Sequence, residues 1–411
     1  MFGLSKTKPK TIIDEEKIDE ILSRGIENIY PSKEFLKSKL MKGDRVSIYL
    51  GIDPTGPTLH LGHIIPMLRL GKLQELGHQV ILLMGDFTAM IGDPTDKAAA
   101  RKKLSRDQVM ENLKEYKKQA SRLIKFDGAN PALFKYNSEW LGKMKFEDIL
   151  ELASKITVEQ MMKREMFQKR NEEGKPIYLH EFMYPLMQGF DSVAMDVDGE
   201  IGGNDQTFNM LVGRDLMKTL RDKEKFVITT KLLVDSSGKK MGKTEGNMVA
   251  LDQAPEDMFG KVMSWSDSLI VHGLEIATNI SVEEFNSIKS GLESGKSNPK
   301  ECKIILAKEI VRMCHGEEAA QRAAEAFVNT FSKREFPEDA EVIKANRDEK
   351  LADIFVAHKM VESKSEFRRL LEAGAISDFP DKKISDPNEA AGESERKIKI
   401  GKKTFVIIRP E

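Results

Sequence analysis

The stretch "RVSIYLGIDPTGPTLHLGHIIPMLRLGKLQELGHQVILLMG" (45–85) decides the fold that we predict for this chain. Its first residues are apolar and β-forming, and they predict a buried strand that ends in a turn with proline and glycine. A helix follows and begins near Gly62–His63, because Pro66 is tolerated only in the first turn of a helix. Gly77 ends the helix, and "HQVILLMG" (78–85) predicts a second strand. A strand, a helix and a strand in this order indicate a parallel unit with a right-handed crossover.

The rest of the chain extends this unit into a doubly wound parallel sheet, a Rossmann-like α/β fold. Further strands are predicted at "ALFKY" (132–136) and "KFVITTKLLVD" (225–235). We expect an N-terminal helical segment (1–44), the Rossmann-like domain (45–250) with a helical insertion at about 97–182, an α-helical domain (251–335), a linker (336–350) and a small α+β domain (351–411). The small domain is predicted to hold two short helices and a hairpin at 396–408.

Composition excludes several classes of protein. The 411 residues carry a formal net charge of -1, so no overall field draws the chain to nucleic acid or to a membrane surface. The two cysteines, Cys302 and Cys314, form no C-x-x-C motif, which indicates a reducing compartment. We see neither a signal-like apolar core at the N-terminus nor an apolar run of the ~20 residues that span a bilayer. We therefore expect a cytoplasmic protein that is not inserted in a membrane.

Two histidines, His60 and His63, stand at the amino end of the predicted helix, where doubly wound sheets bind ligands. Zinc binding would need further ligands, and no neighbouring Cys or His cluster supplies them. The histidines could instead cap the helix. In a third interpretation they serve phosphate chemistry, because a helix amino terminus attracts anions and imidazole N–H groups can stabilise charge on a phosphoryl group. Gly62 would let a nucleotide approach the backbone closely.

A second cationic feature is the glycine-rich loop "SSGKKMGKTEGN" (236–247), with Lys239, Lys240 and Lys243. Alone, such a loop is typical of a solvated turn. Next to a histidine-bearing helix on an α/β sheet, it could clamp a triphosphate and neutralise departing pyrophosphate. The segment "GDFTAMIGDPTDKAAARKK" (85–103) adds Lys97 and Arg101, and it contains no Walker A motif.

A polar stripe is predicted on one helix in "HEFMYPLMQGFDS" (180–192), where Tyr184, Gln188 and Asp191 share a face. Pro185 predicts the first turn of this helix. The stripe could be solvated, but the apolar residues around it favour burial. Buried polar groups need partners, and an amino acid substrate with a phenol would provide them.

These motifs together resemble a known family. "HLGH" and "KMGKT" are similar to the paired signatures of class I aminoacyl-tRNA synthetases, although Gly242 and Thr244 stand where serines are often found. "YLGIDPTGPTLHLGH", "YPLMQGFDS" and "IGGNDQ" resemble the bacterial type of tyrosyl-tRNA synthetase, from about "ILSRGIENIYP" to the C-terminus. The resemblance implies that tyrosine and ATP form tyrosyl-adenylate and that the tyrosyl group then passes to the 3′-terminal adenosine of tRNA(Tyr).

The resemblance also implies roles for residues. The catalytic residues would be His60, His63, Thr55, Lys240 and Lys243. Tyr49 and Asp191 would bind the phenolic hydroxyl of tyrosine, and the ammonium group would be held by Gln188, Tyr184 and Asp93, with Asp53 close by. ATP would be bound by Lys240 and Lys243 of the loop. Seven further residues would also contact it: Gly51, Gly62, Gly203, Asp205, Gln206, Lys97 and Arg101. Mg²⁺ would accompany ATP, and no metal held by protein ligands is expected. Tyr49 could otherwise be an ordinary aromatic residue of a strand.

The C-terminal region resembles an S4-type RNA-binding domain, carried by "SKSEFRRLLEAGAI" (363–376). The resemblance implies RNA contacts from Lys364, Arg368, Arg369, Lys399 and Lys402. A solvated charged face is the alternative, and the loop at 377–395 is longer and more acidic than this domain type leads us to expect. The family also implies a homodimer, with the helical insertion at the interface. Three other functions compete: a tryptophanyl-tRNA synthetase, an RNA-binding protein with an inactive synthetase core, and a nucleotidyltransferase for a small metabolite.

Overall fold

The computed structural model describes residues 9–93, 104–235, 238, 241, 248–331, 336–337, 340–380, 382–401 and 404–411. These residues form two compact units, Met1–Glu317 and Glu318–Glu411. No helix within the described ranges combines the length and the apolar composition needed to cross a membrane.

The first unit is built on a six-stranded sheet, with strands β1 (Ile26–Tyr30), β2 (Ser47–Ile52), β3 (Gln79–Met84), β4 (Leu133–Tyr136), β5 (Gly199–Gly203) and β6 (Phe226–Thr230). The strand order is β1-β6-β5-β2-β3-β4. Strands β2 to β6 are paired in parallel, and only β1 runs antiparallel to its neighbour. This sheet confirms the predicted α/β class. The chain leaves β2 toward β3 on one side and later returns to β5 on the other, which makes β2 and β5 the switch point where such folds bind ligands.

Helices surround this sheet and complete the first unit. They are α1 (Glu15–Ile21), α2 (Lys33–Met41), α3 (Leu61–Glu75), α4 (Thr88–Ile91), α5 (Arg106–Leu113), α6 (Tyr116–Ala120), α7 (Ser138–Leu141), α8 (Phe146–Ala153), α9 (Val158–Met162), α10 (Glu165–Glu172), α11 (Leu179–Met195), α12 (Thr207–Arg221), α13 (Pro255–Met263), α14 (Ile270–Ala277), α15 (Val282–Glu293) and α16 (Pro299–His315). Short 3₁₀ turns occupy Asn204–Gln206 and Asp267–Leu269.

The stretch 45–85 forms the predicted strand, helix and strand, but Pro66 lies inside α3 rather than in its first turn, because the helix already begins at Leu61. Strands β2 and β3 pair in parallel from Ser47↔Gln79 to Ile52↔Met84, and α3 connects them. Both strands are largely buried, which explains their nearly continuous apolar sequence. Helix α3 begins at Leu61, with His60 as its N-cap residue, so both histidines lie in its first turn.

Four further expectations about element boundaries were wrong. The segment 1–44 contains β1. The predicted strand at 132–136 is confirmed as β4, and because β4 joins the main sheet, the range 97–182 is not a purely helical insertion. Strand β7 (Glu341–Ala345) lies inside the predicted linker. Pro185 lies well inside α11 rather than in its first turn, because the helix already begins at Leu179. At the start of α11, the Glu181 carboxylate accepts a hydrogen bond from the Tyr178 backbone N–H at 3.0 Å and so caps the helix.

The second unit contains most of α17 (Glu317–Phe331) and a five-stranded sheet of order β7-β11-β10-β8-β9. Its strands are β7, β8 (Ile376–Asp378), β9 (Lys382–Lys383), β10 (Arg396–Ile400) and β11 (Thr404–Pro410). Helices α18 (Leu351–Ala357) and α19 (Lys364–Glu372) contribute to its core, which includes Phe355, Phe367, Ile398 and Val406. The predicted hairpin is confirmed as β10 and β11. The division at 317/318 precedes the expected boundary near 335, because most of α17 belongs to the second unit.

Candidate active site

The candidate site lies where β2 ends and α3 begins. Side chains of α5 and α6 hold the turn between β2 and α3. The Tyr116 hydroxyl donates to the Gly56 carbonyl at 2.6 Å, and the Asn112 amide donates to the Pro54 carbonyl at 2.8 Å. Within the turn, the Thr55 N–H donates to the Asp53 carbonyl at 2.8 Å. These bonds hold Thr55 in the turn that leads to the histidines. Gly51 is exposed near the end of β2.

The rings of His60 and His63 lie together, with centroids 3.9 Å apart. The His60 backbone N–H donates to Nδ1 of His63 at 3.1 Å, and the Gly62 N–H donates to Nδ1 of His60 at 3.2 Å. Nδ1 therefore acts as an acceptor in both rings, so a neutral ring carries its proton on Nε2. A Cβ atom at Gly62 would lie 3.0 Å from the His60 ring, so glycine allows this arrangement. The histidines do cap the helix, and their Nε2–H groups are suited to phosphate oxygens.

The residues that follow the lysine-rich loop are fixed next to this helix. The Leu61 N–H donates to the Val249 carbonyl at 3.0 Å, and the Leu251 N–H donates to the Leu59 carbonyl at 2.9 Å. Within the loop, the Met241 N–H donates to the Leu233 carbonyl at 2.8 Å. Lys240, Lys243, Lys97 and Arg101 lie outside the described residues. Within the described ranges, no group of three or more His, Cys, Asp or Glu residues could hold a metal ion.

Asp53 and Tyr184 meet at the end of β2. The Tyr184 hydroxyl donates to one carboxylate oxygen of Asp53 at 2.8 Å, and the Thr88 hydroxyl donates to the other at 2.7 Å. A Cβ atom at Gly85 would lie 1.9 Å from Oδ1 of Asp53, so only glycine leaves room for this carboxylate. Burial raises the pKa of Asp53 to about 7, although both hydrogen bonds act in the opposite direction.

Tyr49 and Asp191, the predicted phenol-binding pair, are both buried. The Asp191 carboxylate accepts from Nε1 of Trp140 at 2.8 Å and from the Asn137 amide at 3.3 Å. The Tyr49 hydroxyl lies 2.9 Å from the Ser192 hydroxyl. Burial raises the pKa of Asp191 well above its ordinary value and also raises the pKa of Tyr49. Sequence reasoning did not identify Trp140 on α7 or Asn137, which lies between β4 and α7.

The remaining polar residues form a continuous network. The Gln188 amide donates to Glu200 at 3.0 Å and its oxygen accepts from Asn209 at 3.0 Å. The Asn209 amide also donates to Gln206 at 3.0 Å, and the Gln206 amide donates to Asp93 at 2.8 Å. Sequence reasoning missed Glu200 and Asn209, together with two cations that also join the network, Arg164 beside Asp93 and Lys225 beside Glu200.

Gly203 ends β5 and is followed by the 3₁₀ turn that holds Asp205. A Cβ atom at Gly203 would lie 2.5 Å from the Asp205 carboxylate, so glycine is required where the strand turns. Hydrogen bonds thus group the predicted tyrosine-binding residues into two sets, one with Asp53, Tyr184 and Asp191 and one with Tyr49, Gln188 and Asp93. The described residues among those predicted for ATP lie at or near the end of β2, the start of α3 and the end of β5: Gly51, Gly62, Gly203, Asp205 and Gln206.

The residues predicted to bind RNA lie in the second unit. Lys364 is ion-paired with Asp353, and Arg369 with Glu366 at 3.3 Å. Arg368 is exposed on α19, and Lys399 on β10 lies 5.7 Å from the centre of the Phe405 ring. Lys402 lies outside the described residues. RNA binding by these side chains stays a prediction.

The fold and the order of the site residues agree with one class of enzymes. Residues 41–332 match the family model of tRNA synthetases class I (W and Y). The chain therefore belongs to the class I tRNA synthetases of this family, and it is an aminoacyl-tRNA ligase.

Within that family, the chain is similar to tyrosine–tRNA ligases. It is 41% identical to the enzyme of Carboxydothermus hydrogenoformans, over 96% of this chain and 98% of the relative. The enzyme of Aquifex aeolicus is also 41% identical, over 95% and 98%. A mitochondrial tyrosyl-tRNA synthetase of Aspergillus nidulans has a TM-score of 0.66 at 22% identity, over 80% of this chain and 96% of that one. The enzyme of Archaeoglobus fulgidus, solved with L-tyrosine, has a TM-score of 0.60 at 21% identity, over 76% and 100%. At such identities the solved structures establish the fold alone.

Proposed function

We propose that this protein activates L-tyrosine with ATP to tyrosyl-adenylate and transfers the tyrosyl group to the 3′-terminal adenosine of tRNA(Tyr). One observation carries the proposal: the turn that leads to the paired histidines leaves strand β2, and Tyr49 on this strand and Asp53 just after it hydrogen-bond to Ser192 and Tyr184 of α11. This reaction needs two parts: a helix end that binds phosphate, and a pocket that binds the phenol and the ammonium group of tyrosine. The similarity to tyrosine–tRNA ligases over nearly the whole chain supports it.

On the ATP side, the reaction requires positioning and charge stabilisation and no covalent enzyme intermediate. The tyrosine carboxylate attacks the α-phosphorus of ATP, and pyrophosphate leaves. The Nε2–H groups of His60 and His63 donate to phosphoryl oxygens as charge develops there, with Thr55 beside them. Lys240 and Lys243 approach the departing phosphates from the loop 236–247, which is followed by Val249, the hydrogen-bond partner of Leu61 at the start of α3. Mg²⁺ accompanies ATP and neutralises part of its charge.

On the tyrosine side, Tyr49 and Asp191 bind the phenolic hydroxyl, and Tyr184, Gln188 and Asp93 bind the ammonium group next to Asp53. A site that hydrogen-bonds a hydroxyl rejects an analogue without it, because its buried polar groups then lose their partners. Phenylalanine is therefore excluded without a separate editing domain. The same pair favours tyrosine over tryptophan, whose indole offers an N–H donor and no hydroxyl.

Assembly, RNA contacts and location complete the proposal. Helices α8 to α11 expose large apolar side chains, which suits a homodimer interface: Phe146 at 74%, Leu150 at 56%, Val158 at 64%, Tyr178 at 58% and Leu179 at 82% exposed. The second unit acts as an S4-like domain that binds tRNA through Lys364, Arg368, Arg369, Lys399 and Lys402. The free, buried cysteines Cys302 and Cys314 are consistent with the reducing cytoplasm.

Tyrosine-dependent exchange between ATP and pyrophosphate tests the central claim, with tryptophan and phenylalanine as parallel substrates. Exchange with tyrosine is expected to exceed exchange with either of the other amino acids by a wide margin. Exchange with tryptophan would refute the assignment of Tyr49 and Asp191. A folded protein without exchange for any amino acid would point to an RNA-binding protein with an inactive synthetase core.

A further inference from the structure

Lys225 lies fully buried next to the tyrosine pocket, and none of the sequence motifs includes it. A buried ammonium group is costly unless each of its donors is satisfied. Its three N–H groups meet three acceptors: the Glu200 carboxylate, the Ser192 hydroxyl at 2.7 Å and the Met210 carbonyl at 3.2 Å. The Lys225 ammonium is therefore held in one orientation.

The space for this ammonium is made by glycine. Helices α11 and α12 cross where Gly189 faces Gly213, and a Cβ atom at Gly213 would lie 3.2 Å from the Gly189 Cα atom. The same Cβ atom would lie 2.6 Å from Nζ of Lys225 and 3.1 Å from the Ser192 hydroxyl oxygen. A larger residue at 213 would displace the ammonium or its hydroxyl partner.

The ion pair of Lys225 and Glu200 contacts both ends of the proposed tyrosine site. Through Ser192 it reaches the Tyr49 hydroxyl, which lies 2.9 Å from the Ser192 oxygen. Through Glu200 it reaches the Gln188 amide, which donates to this carboxylate at 3.0 Å. A simple packing role would not require either connection.

The chemistry of the groups fixes the direction of these hydrogen bonds. An ammonium only donates, so the Ser192 oxygen accepts from Lys225. The nearby positive charge turns the hydroxyl proton of Ser192 away from Nζ and toward Tyr49. The Tyr49 oxygen then accepts from Ser192, and its own proton is directed to another acceptor. The acceptors near this proton are the Gln188 carbonyl at 3.5 Å, which is weak, and the Glu200 carboxylate, and a substrate oxygen can replace the former.

We propose that Lys225 is a positioning residue for substrate specificity: through Ser192 it sets the Tyr49 hydroxyl as a donor to the phenolic oxygen of tyrosine. The phenolic proton is then donated to Asp191, so the substrate hydroxyl makes two hydrogen bonds of opposite direction. The inference rests on the proposed placement of the phenol between Tyr49 and Asp191. Phenylalanine has no hydroxyl and gains nothing from this arrangement.

Ser192→Ala is the sharpest test, because it removes the connecting hydroxyl and leaves the Lys225–Glu200 pair in place. We measure kcat/KM for tyrosine and for phenylalanine by ATP–pyrophosphate exchange. The value for tyrosine is expected to fall about 10-fold, as for loss of one directed hydrogen bond, while the value for phenylalanine changes by less than about 2-fold. Thr219→Ala, on the exposed side of α12, is the control and should change neither value.

A double variant, Lys225→Met with Glu200→Gln, removes both charges without leaving one buried alone. It is expected to reduce the tyrosine preference to a similar degree, and it decides the matter if the Ser192→Ala protein does not fold. An equal fall for both substrates would indicate general damage and would overturn the proposal, as would an unchanged ratio.

Tyr49→Phe separates this inference from its premise. If Tyr49→Phe lowers the tyrosine preference and Ser192→Ala does not, the role of Lys225 is refuted and the pocket stands. If Tyr49→Phe leaves the ratio unchanged, the pocket assignment and this inference both fail. Absence of tyrosine-dependent exchange in the unchanged protein would refute the proposed function itself.

Discussion

His60 and His63 illustrate how a short motif fixes two donors in space. Each Nδ1 atom accepts a backbone N–H from the first turn of α3, so the rings cannot turn without breaking a hydrogen bond. Each neutral ring therefore presents an N–H group at Nε2, at the helix end that already favours anions. In the proposed reaction, these two oriented, uncharged donors would stabilise the charge that develops on the phosphoryl group.

His63→Ala is expected to lower the rate of adenylate formation about 100-fold, the usual effect of losing one preorganised donor. The KM for tyrosine should change little, because this donor contacts phosphate and not the amino acid. Single-turnover formation of the adenylate measures the rate directly. His358→Ala, at an exposed position of the second unit, is the control. A large rise in the KM for tyrosine with an unchanged rate would contradict the role given to His63.

Asp53 should make tyrosine binding depend on pH. The ammonium group of tyrosine is attracted to the ionised carboxylate, whose pKa burial raises to about 7. The KM for tyrosine is therefore expected to fall as pH rises from 6 to 8, roughly the range in which Asp53 loses its proton. Asp53→Asn should abolish this dependence. Asp196→Asn, at the exposed C-cap of α11, should leave it intact, and a pH dependence that persists in Asp53→Asn would exclude Asp53 as its source.

The raised pKa of Asp53 also predicts how the stability of the folded protein depends on pH. The carboxylate pKa is 3.8 when unperturbed and about 7 in the folded protein, so the folded state binds the proton more tightly. The contribution of Asp53 to stability is therefore fully present at low pH and is lost as pH rises from about 4 to about 7. Asp53→Asn should accordingly raise the Tm at pH 8 more than at pH 5, which thermal unfolding at the two values measures.

Single residues were predictable where a motif specified them and unpredictable where the partner came from far along the chain. Tyr49, Tyr184 and Asp191 followed from the motif resemblance and from helical spacing. Trp140, Asn137 and Lys225 did not, because their contacts join β4, α7 and β6 to α11 and leave no local pattern in the sequence. Burial that depends on long-range pairing is not encoded in residue spacing.

At the scale of elements, the strand–helix–strand unit was predictable because its apolar pattern, its turn and its stop signal agree. Strand β5 was missed, since "GEIGG" contains a single large apolar residue and forms a strand only between β2 and β6. Its glycines are required by neighbours: a Cβ atom at Gly199 would lie 2.1 Å from the Phe226 ring. Tertiary packing overrides local propensity there.

The crossing of α11 and α12 should be sensitive to one methyl group. Gly213→Ala places a Cβ atom 2.6 Å from Nζ of Lys225, a distance that forces the helices or the ammonium to move. We expect a loss of about 2 kcal/mol in the free energy of unfolding, typical of overpacking in a filled interior. Urea unfolding measures it, with Thr219→Ala on the exposed side of α12 as the control. Equal stability of both variants would show that this crossing adapts freely.

At the scale of the whole molecule, the proposed function assigns tyrosine activation to the first unit and RNA binding to the second. Replacing Arg368 and Lys399 with alanine should lower kcat/KM for tRNA aminoacylation. It should also reduce the salt dependence of kcat/KM, because a protein that makes fewer phosphate contacts releases fewer counterions when it binds. Tyrosine-dependent pyrophosphate exchange should not change, because both residues belong to the second unit. Lys289→Ala, exposed on α15 of the first unit, is the matched control. An unaltered salt dependence would leave the helix and hairpin without a role in RNA binding.

The exposed apolar side chains of α8 to α11 make a prediction about assembly. Phe146 and Leu179 are 74% and 82% exposed, an arrangement more typical of an interface than of a monomer surface. Because a symmetric dimer repeats every contact, Leu179→Glu would bring a charge into the interface from both copies and should shift the protein toward monomers. Sedimentation velocity across a range of concentrations measures this shift. Val282→Glu, at a 43% exposed position of α15, should leave the dimer intact. If Leu179→Glu sediments like the unchanged protein, these side chains do not form the interface, and a dimer would have to use another surface.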